Sequence, residues 1–150
     1  MKILKLISVI LVIIMVLFLG GAILLPSRQY YAVDTIVKND PVAIFTKLSN
    51  QTILRRITPD LSYDGSQTIQ IINMNKFDRI QYHIFSTTFQ SPMDAGFEIM
   101  EVDEGTLVTW YMEKDSLSFP LERWEAYITT ITNKNEILKS LERLETEISK

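Results

Sequence analysis

A chain with one histidine, no cysteine and eighteen carboxylates has few routes to catalysis. Without a thiol there is no cysteine nucleophile, and a single imidazole cannot build a His-rich metal site. The histidine, His83, lies in RIQYHIF, alternating with Gln81 and Phe85. It could act as a proton acceptor only if it faced a pocket beside a carboxylate; otherwise a strand histidine of this kind is a surface or packing residue. The acidic residues gather in turns and along the last helix, where they read as a solvated face. No catalytic group, metal ligand or cofactor is therefore expected. The apolar residues carry the stronger signal. Phe45, Ile69, Ile71, Phe97, Ile99, Val108, Trp110, Met112, Trp124 and Ile128 could all face one interior. On their own they read as a core at ordinary packing density.

The elements that would position these residues can be read from their spacing. Tyr30 to Val37 is rich in Tyr, Val, Thr and Ile and predicts a strand. Asp40 then caps a short helix starting at Pro41, whose fixed φ suits a first helical position, with Ile44, Phe45 and Leu48 on one face. Between Gln51 and Gly65 the signal is poor, and Pro59-Asp60 and Asp64-Gly65 read as turns. Strands are predicted over Gln67–Met74, Arg79–Phe89, Ala95–Val102 and Thr106–Lys114, the last two joined by Asp103-Glu104-Gly105. Asn75 to Asp78 forms a turn, and Ser91-Pro92 breaks the second strand. Trp124, Ile128, Ile131, Leu138, Leu141, Leu144 and Ile148 recur at helical intervals. The run TTIT followed by Asn133 predicts a bend or brief break near Thr132 to Asn135. The expected class is α+β: an antiparallel sheet packed on one long C-terminal helix.

Ahead of this domain runs LISVILVIIMVLFLGGAILL, Leu6 to Leu25, without a charge or a proline. As a helix it measures about 30 Å, the thickness of a bilayer's hydrocarbon core. A cleaved signal peptide is the rival reading. The run is longer than a signal core, however, and Gly20-Gly21-Ala22 is followed by more apolar residues instead of a cleavage site. Residues 1–27 are accordingly expected to be an uncleaved anchor and 28–150 the folded domain. Lys2 and Lys5 precede the helix and only Arg28 follows it closely, so the N-terminus is expected to be cytoplasmic and the domain external. Beyond the anchor stand thirteen basic and eighteen acidic residues, a net charge of −5. That excludes a basic nucleic-acid footprint and attachment to anionic lipid by charge alone. The bilayer itself is the expected partner; no protein partner can be named.

Several runs resemble the SRPBCC or START-like superfamily of helix-grip proteins, in particular a membrane-anchored branch termed polyketide cyclase/dehydrase-like. They are the anchor ending in LLPS, VDTIVKNDPVAIF, GSQTIQIINMNKFDRIQYHI, the hairpin GTLVTWYMEKD, and LSFPLERW opening the last helix. The resemblance implies a sheet gripping a long helix, with a hydrophobic ligand chamber between them lined by the ten apolar residues named above. Members of this branch carry a Trp-rich segment and about two more strands where this chain has only Gln51 to Gly65, so a smaller sheet and a reduced or open chamber are expected. In SLSFPLER, which the resemblance puts at the chamber mouth, Phe119 and Leu121 either gate access or form a hydrophobic staple at the helix start, and the staple is the preferred reading. The leading expectation is a non-catalytic, membrane-tethered module binding a hydrophobic small molecule or lipid-like ligand. An envelope interaction or structural module using an open sheet edge is the alternative, and a cyclase/dehydrase-type enzyme relying on His83 comes third.

Overall fold

In the computed structural model, residues 2–61, 65–85 and 92–148 are described. The chain runs α1 (Lys2–Leu24), β1 (Gln29–Val37), α2 (Pro41–Leu48), α3 (Gln51–Ile57), β2 (Thr68–Asn75), β3 (Arg79–Phe85), β4 (Met93–Val102), β5 (Gly105–Lys114) and α4 (Leu121–Ile148). The described strands form one antiparallel sheet of order β1-β5-β4-β3-β2. β2 to β5 form a meander, and β1 joins the far side of β5, pairing Gln29 with Lys114 through to Val37 with Thr106. The predicted extension of the second strand to Phe89, the Ser91 part of its break and the Asp64 part of the Asp64-Gly65 turn fall outside the described residues.

Local chemistry explains the element ends. Asp40 accepts the backbone N–H groups of Val42 and Ala43 at 3.1 and 3.3 Å, capping α2 as expected. The β2–β3 turn closes with Asp78 N–H donating to Asn75 O at 3.1 Å. The β4–β5 turn places Gly105 at φ +142°, where a Cβ would lie 2.7 Å from the Val37 carbonyl.

Two expectations need correction. The stretch after Gln51, where no element was expected, forms α3, capped by Asn50 Oδ1 accepting from Thr52 N–H at 2.9 Å. Two turns of helix give only two inward residues, Leu54 and Ile57, too few for a periodic signal, although both are buried. No break occurs near Thr132, for α4 runs without interruption from Leu121 to Ile148. The hydroxyls of Thr130 and Thr132 donate back to the carbonyls of Ala126 and Ile128, each at 2.9 Å, so these residues satisfy themselves within the helix.

One face of the sheet is covered by α2, α3 and α4 together, rather than by the last helix alone. Inward residues alternate along each strand: Ile80, Tyr82 and Ile84 on β3, Met93, Ala95, Phe97 and Ile99 on β4, and Val108, Trp110 and Met112 on β5. They meet Ile44, Leu48, Leu54 and Ile57 from the short helices and Ile137, Leu141, Leu144 and Ile148 from α4 in one buried cluster. A polar chain runs through it. Trp110 Nε1 donates to Tyr82 Oη at 2.7 Å, the Tyr82 and Thr58 hydroxyls are hydrogen-bonded at 3.2 Å, and Thr58 Oγ1 donates to Leu54 O at 2.8 Å. Burial pushes the Tyr82 phenol well above its usual pKa, so it stays protonated. Replacing Tyr82→Phe leaves the Trp110 N–H without its acceptor. The expected loss is about 1–3 kcal/mol of stability, read as a lower midpoint in denaturant unfolding at unchanged slope.

Candidate functional site

Of the ten apolar residues expected to line a ligand chamber, six are buried in the core: Ile69, Phe97, Ile99, Val108, Trp110 and Met112. Phe45 and Ile71 are partly buried and pack against it. Where the expected chamber would lie, Trp110, Tyr82 and Phe97 are in contact with the helices' apolar faces, and each is at most 2% exposed. Trp124 and Ile128 do not join them. Successive residues of α4 turn through about 100°, and the helix buries the stripe Ala126, Thr129, Ile137, Leu141 and Leu144. Trp124 and Ile128 lie on a different side, and Ile128 is 48% exposed. The reason is close approach: small Ala126 and Thr129, not the large residues, face β1.

Trp124 packs on α1 instead. Its indole stacks on the Phe18 ring at 5.9 Å and 14°, and its Nε1 donates to Phe18 O at 3.0 Å. Gly21 makes room for the ring, since a Cβ there would overlap the indole. Arg123 Nη1 donates to the carbonyls of Ala22 and Leu25 at 3.2 and 3.4 Å, supplying donors to the last turn of α1. The start of α4 is thus fastened to the end of α1.

A groove of about 230 Å³ opens at this junction between the β1 edge and the first half of α4. Its walls include Pro26, Tyr30, Leu117, Tyr127, Ile131 and Thr130. At its base, Gln29 Nε2 donates to Ala126 O at 3.0 Å and to Thr130 Oγ1. The carbonyl partner fixes the amide orientation, because Ala126 O can only accept. Gln29 Oε1 is desolvated and has no hydrogen-bond partner among the described residues. The volume falls just below the range of about 300–1,000 Å³ usual for small-molecule sites. It suits a small apolar molecule or one end of a longer one.

Beside the groove, Lys114 and Glu122 form a buried pair at 3.4 Å, and Ser118 N–H donates to Glu122 Oε2 at 2.6 Å. That backbone hydrogen bond, more than the lysine, holds the Glu122 carboxyl below its ordinary value. The expected staple does not form: Phe119 and Leu121 are 49% and 68% exposed. Phe119 lies under the Arg123 guanidinium instead, 5.6 Å from ring centre to Cζ.

His83 occupies the opposite face of the sheet. Its Nδ1 is 2.6 Å from Asp94 Oδ1 on the neighbouring strand, in a recess of about 280 Å³ that also includes Gln81, Tyr111 and Glu113. The enzymatic reading asks for His83 in a recess beside a carboxylate, and both are there, but the recess faces away from the helices and Nδ1 is not in hydrogen-bonding geometry with a partner among the described residues. Gly96 lets the Tyr111 hydroxyl settle close to the sheet, where Gln81 Nε2 donates to it at 3.2 Å. No group of three or more metal-binding side chains occurs among the described residues.

No known protein family matches the chain. No curated protein matches it either. Solved structures do. A protein from Arthrobacter aurescens superposes with a TM-score of 0.58 at 10% identity, covering 80% of this chain and 86% of its own. An AHSA1-like protein from Rhizobium etli gives 0.53 at 10% identity, covering 81% and 82%. DynU16, from the dynemicin biosynthetic locus, gives 0.57 at 12% identity; 80% of this chain is covered, but only 47% of DynU16. At such identities the likeness concerns the fold. The shared fold is an antiparallel sheet gripping a long C-terminal helix.

Two outcomes follow from this geometry. Gly21→Ala should push the Trp124 indole off α1, shifting its emission to the red while buried Trp110 is unaffected; a fluorescence spectrum against the Trp124→Phe control reads this. Because the folded pKa of Glu122 lies below its unfolded value of 4.5, the pair contributes stability above about that pH. The contribution is lost as pH falls through the lower folded value. Glu122→Gln should therefore be less stable than wild type at pH 7, and the gap should narrow below pH 4 in unfolding titrations.

Proposed function

We propose that the protein is a membrane-tethered helix-grip module that binds a hydrophobic small molecule or lipid-like ligand without transforming it. α1 is long and apolar enough to cross a bilayer, with 22 residues from Ile3 to Leu24. In this reading residues 1–27 are the anchor, the N-terminus is cytoplasmic, and residues 28–150 stand on the outer side. The observation that carries the reading is the position of the groove. It lies between sheet and last helix, its wall reaches Pro26 just beyond α1, and Tyr127 and Ile131 form its outer rim. An apolar molecule leaving the bilayer would meet it first. The AHSA1-like and biosynthetic-locus neighbours support a ligand-binding use of the fold. The membrane-anchored polyketide cyclase-like branch remains the relative suggested by the sequence runs.

The competing reading, an envelope module pairing through an open sheet edge, has one observation in its favour. β2 is the last strand of the sheet, with β3 on one side and no strand on the other among the described residues. A bulge between Ile71 and Asn73 breaks its register, however, and bulges blunt an edge against further pairing. Ligand binding is therefore preferred.

The test uses the full chain in phosphatidylcholine nanodiscs, titrated with a fluorescent fatty acid and with a naphthyl probe. Wild type should show saturable binding. Thr130→Phe, which fills the groove, should weaken it at least tenfold, and His83→Ala should leave it unchanged. Linear, non-saturable uptake that is the same in wild type and Thr130→Phe would mean simple partitioning into lipid and would end this reading.

A further inference from the structure

The first three turns of α4 present a second surface that the core does not use and that meets the groove only at its rim, through Tyr127 and Ile131. Leu121, Ile128 and Ile131 are 68%, 48% and 58% exposed. With Trp124 they recur at intervals of three, four and three residues, forming one outward stripe. Tyr127, at 48% exposed, flanks it, and Phe119 stands at its start. Beyond Ile131 the exposed residues become Thr132, Lys134 and Asn135, so the apolar stripe is interrupted about 16 Å from where it starts.

The stripe is continuous with α1. Trp124 touches α1 at Phe18 and Gly21, and Arg123 reaches the carbonyls of Ala22 and Leu25. The contacts therefore span the last two turns of α1, about 10 Å of helix. Any layer that surrounds those two turns also surrounds the start of α4. Tryptophan and tyrosine prefer the headgroup level of a bilayer. Helices that lie in this layer bury an apolar face about 5–10 Å deep.

We infer that α4 from Leu121 to Ile131 is seated in the outer interfacial layer of the bilayer, with Leu121, Trp124, Ile128 and Ile131 against lipid. The occupant of this surface is the membrane itself. The inference rests on α1 spanning that membrane, and it adds that the domain is held down on the surface instead of swinging from a free linker. Seating α4 this way places the Tyr127 and Ile131 rim of the groove at the lipid boundary, which gives the ligand a path from the membrane without crossing water.

The chain's lack of cysteine makes the test direct. Ile128→Cys, Lys134→Cys and Val12→Cys are each made in the full chain, labelled with a nitroxide and reconstituted in phosphatidylcholine vesicles. All three positions are exposed, so none disturbs packing. Collision of the label with oxygen, which concentrates in lipid, is compared with collision with a water-soluble nickel chelate. The oxygen-to-nickel ratio at Ile128 is expected to be at least fivefold that at Lys134, with Val12 highest of all. Val12 in lipid but Ile128 matching Lys134 would overturn the seating of α4 and leave the tether standing. A water-exposed Val12 would overturn the tether, and the seating with it.

Discussion

One helix has to satisfy two surfaces at once. The inner stripe of α4 closes the core of the sheet, and its first turns are fastened to α1 through Trp124 and Arg123. A helix is a rigid rod over this length, so the two attachments are coupled. The orientation of the domain on α1 follows from how α4 lies on the sheet. Its far end is fixed as well: Lys47 Nζ donates to the Glu147 and Ile148 carbonyls and Asn39 Nδ2 to the Ile148 carbonyl, at 2.9, 2.9 and 3.0 Å. These donors supply the last turn, where a lysine also complements the helix dipole.

Fixing α4 this way decides where empty space can remain. Three helices cover a five-stranded sheet, and α3 supplies Leu54 and Ile57 to the buried cluster. Trp110, Tyr82 and Phe97 then fill the middle, and the hydrogen-bonded chain through Thr58 holds them in one arrangement. Buried polar groups cost stability unless satisfied, and here Trp110 and Tyr82, on two strands, are tied through Thr58 to the end of α3. Space survives at the β1 edge, because small Ala126 and polar Gln29 meet there in place of large apolar side chains.

The sheet was legible in the sequence because its alternation is strong and its turns carry diagnostic residues. Tyr82, Ile84, Phe97 and Trp110 each sit at the predicted strand positions, and Gly105 at the turn that needed it. The Asp40 and Pro41 start of α2 was equally plain. α3 was not, since seven residues offer too few repeats. On α4 two apolar stripes run along one helix, and their combined spacing reads as a single face. Trp124, Ile128 and Ile131 belong to the outer stripe and Leu141, Leu144 and Ile148 to the inner one. The small residues Ala126 and Thr129 were the available sign, for they mark where a helix comes closest to its neighbour. The groove was hidden because its walls come from Pro26, Leu117 and Thr130, distant in sequence and undistinguished in type. His83 was recognisable as the only imidazole, but its pairing with Asp94 depends on strand register, which periodicity alone does not fix.

Charge supplies the last constraint on how the domain meets a membrane. With thirteen basic and eighteen acidic groups beyond residue 27, the domain would be repelled by an anionic surface, not drawn to it. A contact with lipid must then be apolar and aromatic, and it must keep carboxylates out of the contacting face. The outer stripe of α4 meets both conditions from Leu121 to Ile131. Glu122 is turned inward to Lys114, Glu125 stands partly buried at the flank of the stripe, and the acidic residues of the second half, Glu136, Glu142, Glu145 and Glu147, begin only after the stripe is interrupted. On the proposed seating, apolar contact would hold the acidic domain to a neutral bilayer, and an anionic one would hold it less tightly, because its charge opposes the surface.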